Sequence, residues 1–370
     1  MKMPFRYGCV VDGEYFCPRP ELERQLRRYA ESGQNLVIQG ERRMGKTSLV
    51  KKAVSGMRGK KLLYIDLYGI RTLSDFCRRV MAGVGGVTEK MSFLKKALAL
   101  AHRLRPALTI DSNTGAPTIT VDARAASEPD SLGAVMSTVK KLSADGGLCV
   151  VMDEFQDILK LDGAEKILAE MRGTIQFQPD TPYFYLGSAR NDMLKIFTHY
   201  DSPFFKSALP FEVPPIDEDE FAKFIVARFR KGGCKIDMST ARSIIGFANG
   251  VSGDVQELCD ALWNVTDEGG VAAEEDLPKA LEVVFSREKN SFESSIADLT
   301  PNQLSVLKGL AEMSPVRTFS SEFMDHVRIS SPGAVKRAIN SLVAARLIYL
   351  RHAEYKFSNP FFREWLRRDF

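Results

Sequence analysis

The sequence predicts an α/β protein: a parallel sheet core with an inserted β-hairpin, then an all-α region and a small C-terminal domain. Three observations support this prediction. An apolar run at residues 35–39, a helical pattern from Thr47 and a second apolar run at residues 61–67 form a β-α-β unit, and such units build parallel sheets. Residues 218–288 show helical spacing that is interrupted only at glycines. Residues 299–370 combine short helical patterns with two short strand patterns.

The other segments of the core follow in order along the chain. Helical spacing recurs at residues 19–32, 73–102 and 129–142, and apolar runs at residues 148–152 and 183–187 indicate two further buried strands. Period-two alternation predicts an antiparallel hairpin inserted at about residues 105–122. Pro214-Pro215 marks a change of composition. We therefore predict three domains: a core at residues 1–213, a helical domain at 214–290 and a C-terminal domain at 296–370.

Composition and charge limit the classes of protein to which the chain can belong. Its 370 residues are 44% hydrophobic and 26% charged, as in an ordinary globular protein of two to three domains. No apolar run approaches the roughly 18 residues that a membrane span needs, and the N-terminus lacks an apolar signal core. The 6 cysteines are scattered without a C-x-x-C pair, which favours free thiols in a reducing compartment. We therefore expect a cytoplasmic protein without a membrane partner.

A glycine-rich loop between the first predicted strand and its helix carries the strongest motif. It consists of Gly40, Glu41, Arg42, Arg43, Met44, Gly45, Lys46 and Thr47 and fits G-x-x-x-x-G-K-[ST]. The glycines let backbone N–H groups point at phosphate oxygens, Lys46 can reach the terminal phosphates, and the Thr47 hydroxyl can bind Mg²⁺. The following helix, which includes Ser48, adds the positive partial charge of its N-terminus. The loop predicts a binding site for a nucleoside triphosphate with Mg²⁺.

Two carboxylates follow the apolar run at residues 148–152. They would lie at the carboxyl end of a strand, where ligands bind in parallel sheets. We predict that Asp153 holds Mg²⁺ through water and that Glu154 activates the attacking water. Such a pair favours hydrolysis over transfer to an acceptor, because a kinase would also need an acceptor pocket.

Two further polar residues follow the predicted strand at residues 183–187. Ser188 is predicted to sense the γ-phosphate, and Arg190 lies two residues further on at the same edge. The alternative interpretation is an ordinary loop serine and a surface arginine. The candidate catalytic residues are Lys46, Asp153, Glu154, Ser188 and Arg190.

The C-terminal segment has the pattern of a winged helix. Thr300 and Pro301 begin its first helix, Ser331 and Pro332 begin its third, and two short strands flank the wing. Residues 299–370 contain 11 Lys and Arg against 6 Asp and Glu, an excess of charge larger than the +4 of the whole chain.

The exposed face of the third helix suggests a partner. It would carry Lys336, Arg337 and Asn340, with Arg351 on the wing. In DNA-binding winged helices this helix enters the major groove, where cations bind phosphates and asparagine can read adenine. A protein-docking module is the alternative, and the residues leave DNA and protein open as partners.

Together these motifs make the chain resemble the archaeal-type ATPases, a group of P-loop proteins within the AAA+/STAND class. The loop with its continuation Ser48-Leu49 is similar to the family's G-x-R-R-x-G-K-T-S-L, and residues 153–156 match its D-E-F-Q motif. Residues 16–22 are similar to its F-x-x-R-x-x-E-L segment, and Gly187-Ser188 to its sensor strand. Residues 357–366 are similar to its F-x-D-P-F-F-R-x-W-L tail.

The resemblance implies a P-loop NTPase core, a helical lid and a winged-helix domain, with ATP or ADP and Mg²⁺ as cofactors. Because the first segment commonly lies by the adenine, Phe16 and Arg19 are candidates for base contacts. Lys206 stands where the family often has a phosphate-binding arginine. Ser252 stands where STAND proteins usually carry the proline of G-x-P. Such proteins often take a catalytic cation from a neighbouring subunit, so a homo-oligomer is also considered.

Two functions follow from these observations. The first is a Mg²⁺-dependent ATPase, slow in turnover, whose nucleotide state moves the lid and the winged helix. The alternative is a slowly hydrolysing or non-hydrolysing switch, loaded with nucleotide, whose winged helix binds DNA or a protein.

Overall fold

The computed structural model describes residues 3–87, 107–110, 117–120, 129–144, 147–188, 190–313, 316–351 and 354–369. The chain forms two compact units. Pro18–Pro214 form the first, which we call the sheet unit. Met1–Cys17 and Pro215–Phe370 form the second, which we call the helical unit. The chain therefore passes from one unit to the other twice, at Cys17-Pro18 and at Pro214-Pro215.

The sheet unit is built on five parallel strands, which confirms the predicted parallel sheet. Its strands are β1 (Leu36–Gln39), β2 (Lys61–Asp66), β3 (Ala107–Ile110), β4 (Pro117–Thr120), β5 (Leu148–Asp153), β6 (Tyr183–Gly187) and β7 (Leu209–Glu212). The spatial order of the main sheet is β2-β5-β6-β1-β7, and every pair is parallel. β5 and β6 are buried along their whole length, which explains their unbroken apolar runs.

The predicted hairpin is present as a separate two-stranded sheet. β3 pairs antiparallel with β4, with Leu108 opposite Ile119. The connecting residues 111–116 and the second half of the predicted helix, residues 88–102, lie outside the described residues.

Among its described residues the sheet unit contains six α-helices. They are α1 (Pro20–Glu31), α2 (Lys46–Ser55), α3 (Leu73–Val87), α4 (Pro129–Ser143), α5 (Ala164–Ile175) and α6 (Arg190–Thr198). Pro20 lies in the first turn of α1, where its missing N–H costs nothing. Beside the sheet, a cluster of buried aromatic rings fixes the segment after β5: the Phe155 ring centroid lies 4.6 Å from that of Tyr185 and 5.8 Å from that of Phe204.

The helical unit contains eight helices and two small sheets among its described residues. The helices are α7 (Glu218–Lys231), α8 (Met238–Phe247), α9 (Ser252–Val265), α10 (Leu277–Ala297), α11 (Pro301–Met313), α12 (Ser321–His326), α13 (Pro332–Ala344) and α14 (Pro360–Asp369). The strands are β8 (Lys235–Ile236), β9 (Val271–Ala272), β10 (Ile348–Arg351) and β11 (Glu354–Phe357). Side-chain oxygens of Asp217, Asp237 and Ser331 cap α7, α8 and α13, as capping chemistry leads one to expect.

One hydrophobic core runs through the whole helical unit. Residues 291–295, which lie between the last two predicted domains, belong to the second half of α10, a continuous helix of 21 residues. Within it Phe292 is buried, and its ring centroid lies 5.3 Å from that of Phe362 and 5.4 Å from that of Trp365. Helices α7–α10 and the winged helix thus share a core. The division into three domains remains a prediction.

Residues 3–17 belong to the helical unit, although the sequence analysis places them with the core. Phe5 is buried there, with its ring centroid 5.2 Å from that of Phe229. Arg228 donates from Nε to the Pro4 carbonyl oxygen at 2.7 Å and from Nη1 to Glu14 Oε2 at 3.1 Å. The segment is therefore held by apolar packing and by charged groups on α7.

Candidate functional site

The phosphate loop occupies residues 40–45, between the end of β1 and the start of α2. Gly45 has a φ of +79°, a left-handed conformation that favours glycine. A Cβ on Gly40 would lie 3.0 Å from the Val213 carbonyl oxygen. Steric constraints on the backbone therefore explain why both positions of the motif are glycine. Arg43 also has a positive φ, of 65°. Successive turns of this kind direct backbone N–H groups towards one concave site.

Lys46 is the first residue of α2, and its side chain lies along the loop. Its ammonium donates to the carbonyl oxygens of Gly40 at 2.9 Å and Glu41 at 2.8 Å. The residue is only 8% exposed. Burial lowers the pKa of Lys46 from its ordinary value, against the opposing effect of the Glu154 and Asp153 carboxylates. The ammonium is thus held close to the loop and close to both acids.

Asp153 is the last residue of β5 and joins the carboxylate motif to the loop. Its Oδ2 accepts hydrogen bonds from Thr47 Oγ1 at 2.6 Å and from the Tyr64 hydroxyl at 2.9 Å. Its Oδ1 accepts from the Glu154 backbone N–H at 3.0 Å. The structure therefore brings together the two residues predicted to hold Mg²⁺. Tyr64, on the adjacent strand β2, was not predicted.

Glu154 begins a 3-10 turn at Phe155–Lys160 and has a φ of +51°. Ser188 Oγ donates to Glu154 Oε2 at 3.1 Å, and Gln156 Nε2 donates to the same oxygen. Ser188, predicted as a phosphate sensor, thus lies beside the predicted base, and its role as a sensor remains a prediction. Gln156 was missed as a site residue, and the only signal for it is the last letter of D-E-F-Q.

Arg19 is buried against the backbone of the phosphate loop. Its guanidinium donates to the carbonyl oxygens of Pro214 at 3.0 Å and Met44 at 3.4 Å. Phe16 is buried and belongs to the helical unit. The adenine contacts of Arg19 and Phe16 remain predictions.

The other predicted residues of the nucleotide site occupy different positions. Arg42 is exposed, whereas Met44 and Ser48 are buried. Arg190 begins α6, after the edge at which β6 ends. The role of each in nucleotide binding remains a prediction.

The two positions at which the chain departs from the family pattern are both described. Lys206 is exposed with a φ of +52°, and its ammonium lies 5.2 Å from the Phe205 ring centroid. Ser252 is the first residue of α9 and is buried, after a turn in which Asn249 and Gly250 have positive φ.

The exposed face of α13 carries the predicted DNA contacts Lys336, Arg337 and Asn340, and Arg351 ends β10. The cations of α14 have partners. Arg363 donates to the Ala311 carbonyl oxygen at 3.2 Å, and both Arg367 and Arg368 form salt bridges with Glu364. Lys336 and Arg337 form no salt bridge with any residue that the structure describes.

The residues present fit a magnesium nucleotide. A hydroxyl and a carboxylate at hydrogen-bond distance supply the hard oxygen atoms that Mg²⁺ prefers, in a site that otherwise relies on phosphate oxygens and water. The loop and the start of α2 supply backbone N–H groups for phosphate. Thr47 and Asp153 would hold the metal, and the loop with Lys46 would hold the phosphates.

Comparison with solved structures agrees with the fold. A Walker-type ATPase of Pyrococcus abyssi aligns with a TM-score of 0.67 and 20% sequence identity, over 96% of this chain and 97% of that one. The ORC2 protein of Aeropyrum pernix, determined as ADPNP and ADP complexes, aligns with a TM-score of 0.57 at 13% identity, over 97% and 95%. The ORC1 protein of Aeropyrum pernix in complex with DNA aligns with a TM-score of 0.51 at 12% identity, over 97% and 98%.

The chain has a P-loop ATPase fold. These matches confirm, at the level of fold, the resemblance drawn from the motifs. A family model described as a probable winged helix domain matches residues 290–368, which confirms the winged helix. A search of curated proteins found no match. Among the described residues, no helix has the length and apolar character that crossing a membrane requires.

Proposed function

We propose that the protein is a Mg²⁺-dependent ATPase. The observation that carries the proposal is the 2.6 Å hydrogen bond between Thr47 Oγ1 and Asp153 Oδ2. It joins two motifs that are 106 residues apart in the sequence. In P-loop proteins these two side chains hold the metal beside the β- and γ-phosphates.

Each residue of the site has a role in hydrolysis. Lys46 exchanges the Gly40 and Glu41 carbonyl oxygens, which its ammonium contacts, for oxygens of the terminal phosphates. Bound Mg²⁺ neutralises charge that develops on the phosphates. Glu154 accepts the proton of the attacking water, and Ser188 with Gln156 orients its carboxylate.

Phosphate release tests this proposal. Lys46→Ala should abolish turnover and weaken nucleotide binding. Glu154→Gln should leave binding intact and slow hydrolysis by at least about 100-fold, since it removes the base alone. Lys52→Ala on the exposed side of α2 and Glu165→Gln on the exposed side of α5 are matched controls. A parent protein that releases no phosphate, together with unchanged affinity in Lys46→Ala, would overturn the proposal.

We also propose that the protein hydrolyses ATP slowly and that its nucleotide state changes the conformation of the helical unit. Lys206 replaces an arginine that would bind phosphate with a planar fork, and no arginine finger is evident in the sequence. A second subunit of the same chain would then supply a cation. If isolated protein turns over only at high concentration, this homo-oligomer is supported.

Free thiols at all 6 cysteines suit a cytoplasmic location.

DNA binding by the winged helix is a second candidate function. The observation in its favour is the contrast between α14, whose arginines are paired, and α13, whose Lys336 and Arg337 form no salt bridge among the described residues. The ORC1 protein with a similar fold was determined in complex with DNA. Unpaired cations on this helix are free to bind phosphates.

A DNA-retention assay at two salt concentrations tests this candidate. Binding should weaken steeply with salt, and Lys336→Ala with Arg337→Ala should make the negative slope of log affinity against log salt less steep by about 2. Arg367→Ala with Arg368→Ala removes the same charge from α14 and is the matched control. Equal effects of the two double variants, or no salt dependence, would favour a protein partner instead.

A further inference from the structure

Tyr64 lies outside every motif of the sequence, yet its side chain reaches the metal-binding pair. β2 and β5 are parallel, and their register places Tyr64 opposite Val151, with Asp153 two residues further towards the carboxyl edge. The long phenol ring covers that distance, so that the hydroxyl meets Asp153 Oδ2 at 2.9 Å. A shorter hydroxyl side chain at this position would not reach the carboxylate.

The contact fixes the orientation of the Asp153 carboxylate. Thr47 and Tyr64 donate to Oδ2, and the Glu154 N–H donates to Oδ1 at 3.0 Å. Three donors from three elements leave the carboxylate a single orientation. Tyr64 itself is partly buried, and the Lys51 ammonium lies 3.7 Å from its ring centroid, within the range of a cation–π contact.

The hydrogen bond between Tyr64 and Asp153 has one direction. A phenol hydroxyl carries a proton that it can donate, whereas a carboxylate oxygen can only accept. The Tyr64 hydroxyl therefore donates to Asp153 Oδ2.

We propose that Tyr64 is a positioning residue for Mg²⁺: its hydroxyl holds Asp153 Oδ2 against the Thr47 hydroxyl and thereby aims the Thr47 lone pairs at the metal. This inference rests on the proposed nucleotide site and assigns to it a residue that no motif contains. Outer-sphere partners of this kind typically change metal affinity 10- to 100-fold when they are removed.

Binding of a fluorescent ADP analogue to the full chain, titrated with MgCl₂, tests the inference without relying on turnover. Tyr64→Phe keeps the ring and the contact with Lys51 but removes the donor. It should raise the Mg²⁺ concentration for half-maximal binding by about 10-fold. Binding measured in EDTA should change by less than about 2-fold, because the loop and Lys46 are unaffected.

Tyr183→Phe is the matched control. Tyr183 is a buried tyrosine of the same sheet whose hydroxyl donates to Gln178 Oε1 at 3.0 Å. Its loss should lower stability as Tyr64→Phe does, but the Mg²⁺ titration should not move. In an Asp153→Asn background, Tyr64→Phe should lose most of its effect on Mg²⁺, since its partner is already altered.

The outcomes separate the two proposals. If the parent protein binds the analogue with no dependence on Mg²⁺, both the metal site and the role of Tyr64 are overturned. If the parent depends on Mg²⁺ and Tyr64→Phe has the same titration curve, only the role of Tyr64 is overturned. The same holds if Tyr64→Phe and Tyr183→Phe shift the curve equally.

Discussion

Glu154 adopts an unfavourable backbone conformation at the centre of the site. A non-glycine residue in the left-handed region costs on the order of 1–3 kcal/mol. The turn takes the chain directly from the end of β5 into Phe155–Lys160 and leaves the Glu154 carboxylate beside Ser188 and Gln156. The conformation therefore serves to place the proposed base and does not stabilise the sheet.

The environment of Gly187 predicts how tightly that placement is held. A Cβ on Gly187 would lie 2.5 Å from Met193 Cγ and 2.6 Å from Gln156 Oε1. Gly187→Ala should therefore displace the Gln156 amide, which orients Glu154. We expect kcat to fall by at least about 10-fold with little change in KM, and stability to fall by about 1–3 kcal/mol. Phosphate-release kinetics and urea unfolding measure the two effects.

Gly173→Ala supplies the control for that substitution. A Cβ at Gly173 meets no atom within 4 Å, and the residue lies inside α5. This variant should keep kcat and gain up to about 1 kcal/mol of stability, because alanine favours the helix. If Gly187→Ala behaves like Gly173→Ala, the packing of Gln156 does not control the base.

At the scale of elements, local sequence patterns predict the strands and the loop, whereas they do not predict which side chains of neighbouring strands contact each other. Apolar runs and the glycine spacing indicate β1, β5 and the phosphate loop because those signals lie in consecutive residues. The contact of Tyr64 with Asp153 depends on the register of β2 against β5, which no local pattern encodes. The sequence analysis did not predict β7. Phe211 is the only buried residue of this strand, so β7 lacks the unbroken apolar run of a buried strand.

The attachment of the N-terminal segment to α7 should depend on pH. Hydrogen bonds from Lys231 and Arg228 lower the pKa of Glu14 to about 2. A carboxylate whose pKa is lower in the folded state stabilises the fold above its unfolded pKa and loses that effect as the pH falls. The contribution of Glu14 should therefore be complete above about pH 5 and disappear towards pH 2.

Unfolding by urea at several pH values measures this effect. The difference in midpoint between the parent and Glu14→Gln should be constant above about pH 5 and should close towards pH 2. Glu21→Gln serves as a comparison. The pKa of Glu21 is also lowered, but its salt bridge with Arg24 lies within α1 and does not attach the N-terminal segment to α7. A gap that stays open at pH 2 would contradict the assigned ion pair.

At the scale of the whole molecule, the shared core of the helical unit predicts joint unfolding of the lid helices and the winged helix. Phe292→Ala would remove the ring that contacts Phe362 and Trp365, at a cost of about 3–5 kcal/mol. In the parent protein, helices α7–α10 and α11–α14 should unfold in a single transition when unfolding is followed in urea. Binding of a nucleotide at the proposed site in the sheet unit would report that this unit remains folded.

Phe319→Ala is the matched control for this prediction. Phe319 is 51% exposed, so its loss should cost less than about 0.5 kcal/mol. Separate transitions for α7–α10 and for α11–α14 in the parent would show that the common core does not couple them. The sequence could not predict this coupling, since Phe292 is buried within a second half of α10 that is otherwise mostly polar.

The two passages of the chain between units, at Cys17-Pro18 and Pro214-Pro215, make the sheet unit an insertion within the helical one. Pro18–Pro214 is a single continuous polypeptide that can be expressed as such, whereas the helical unit is encoded in two pieces. A gene for the helical unit alone must join residue 17 to residue 215. A chain that begins at residue 215 would lack Phe5 and Glu14, which contact α7. Deletions from the N-terminus would therefore damage the helical unit before they reach the sheet unit.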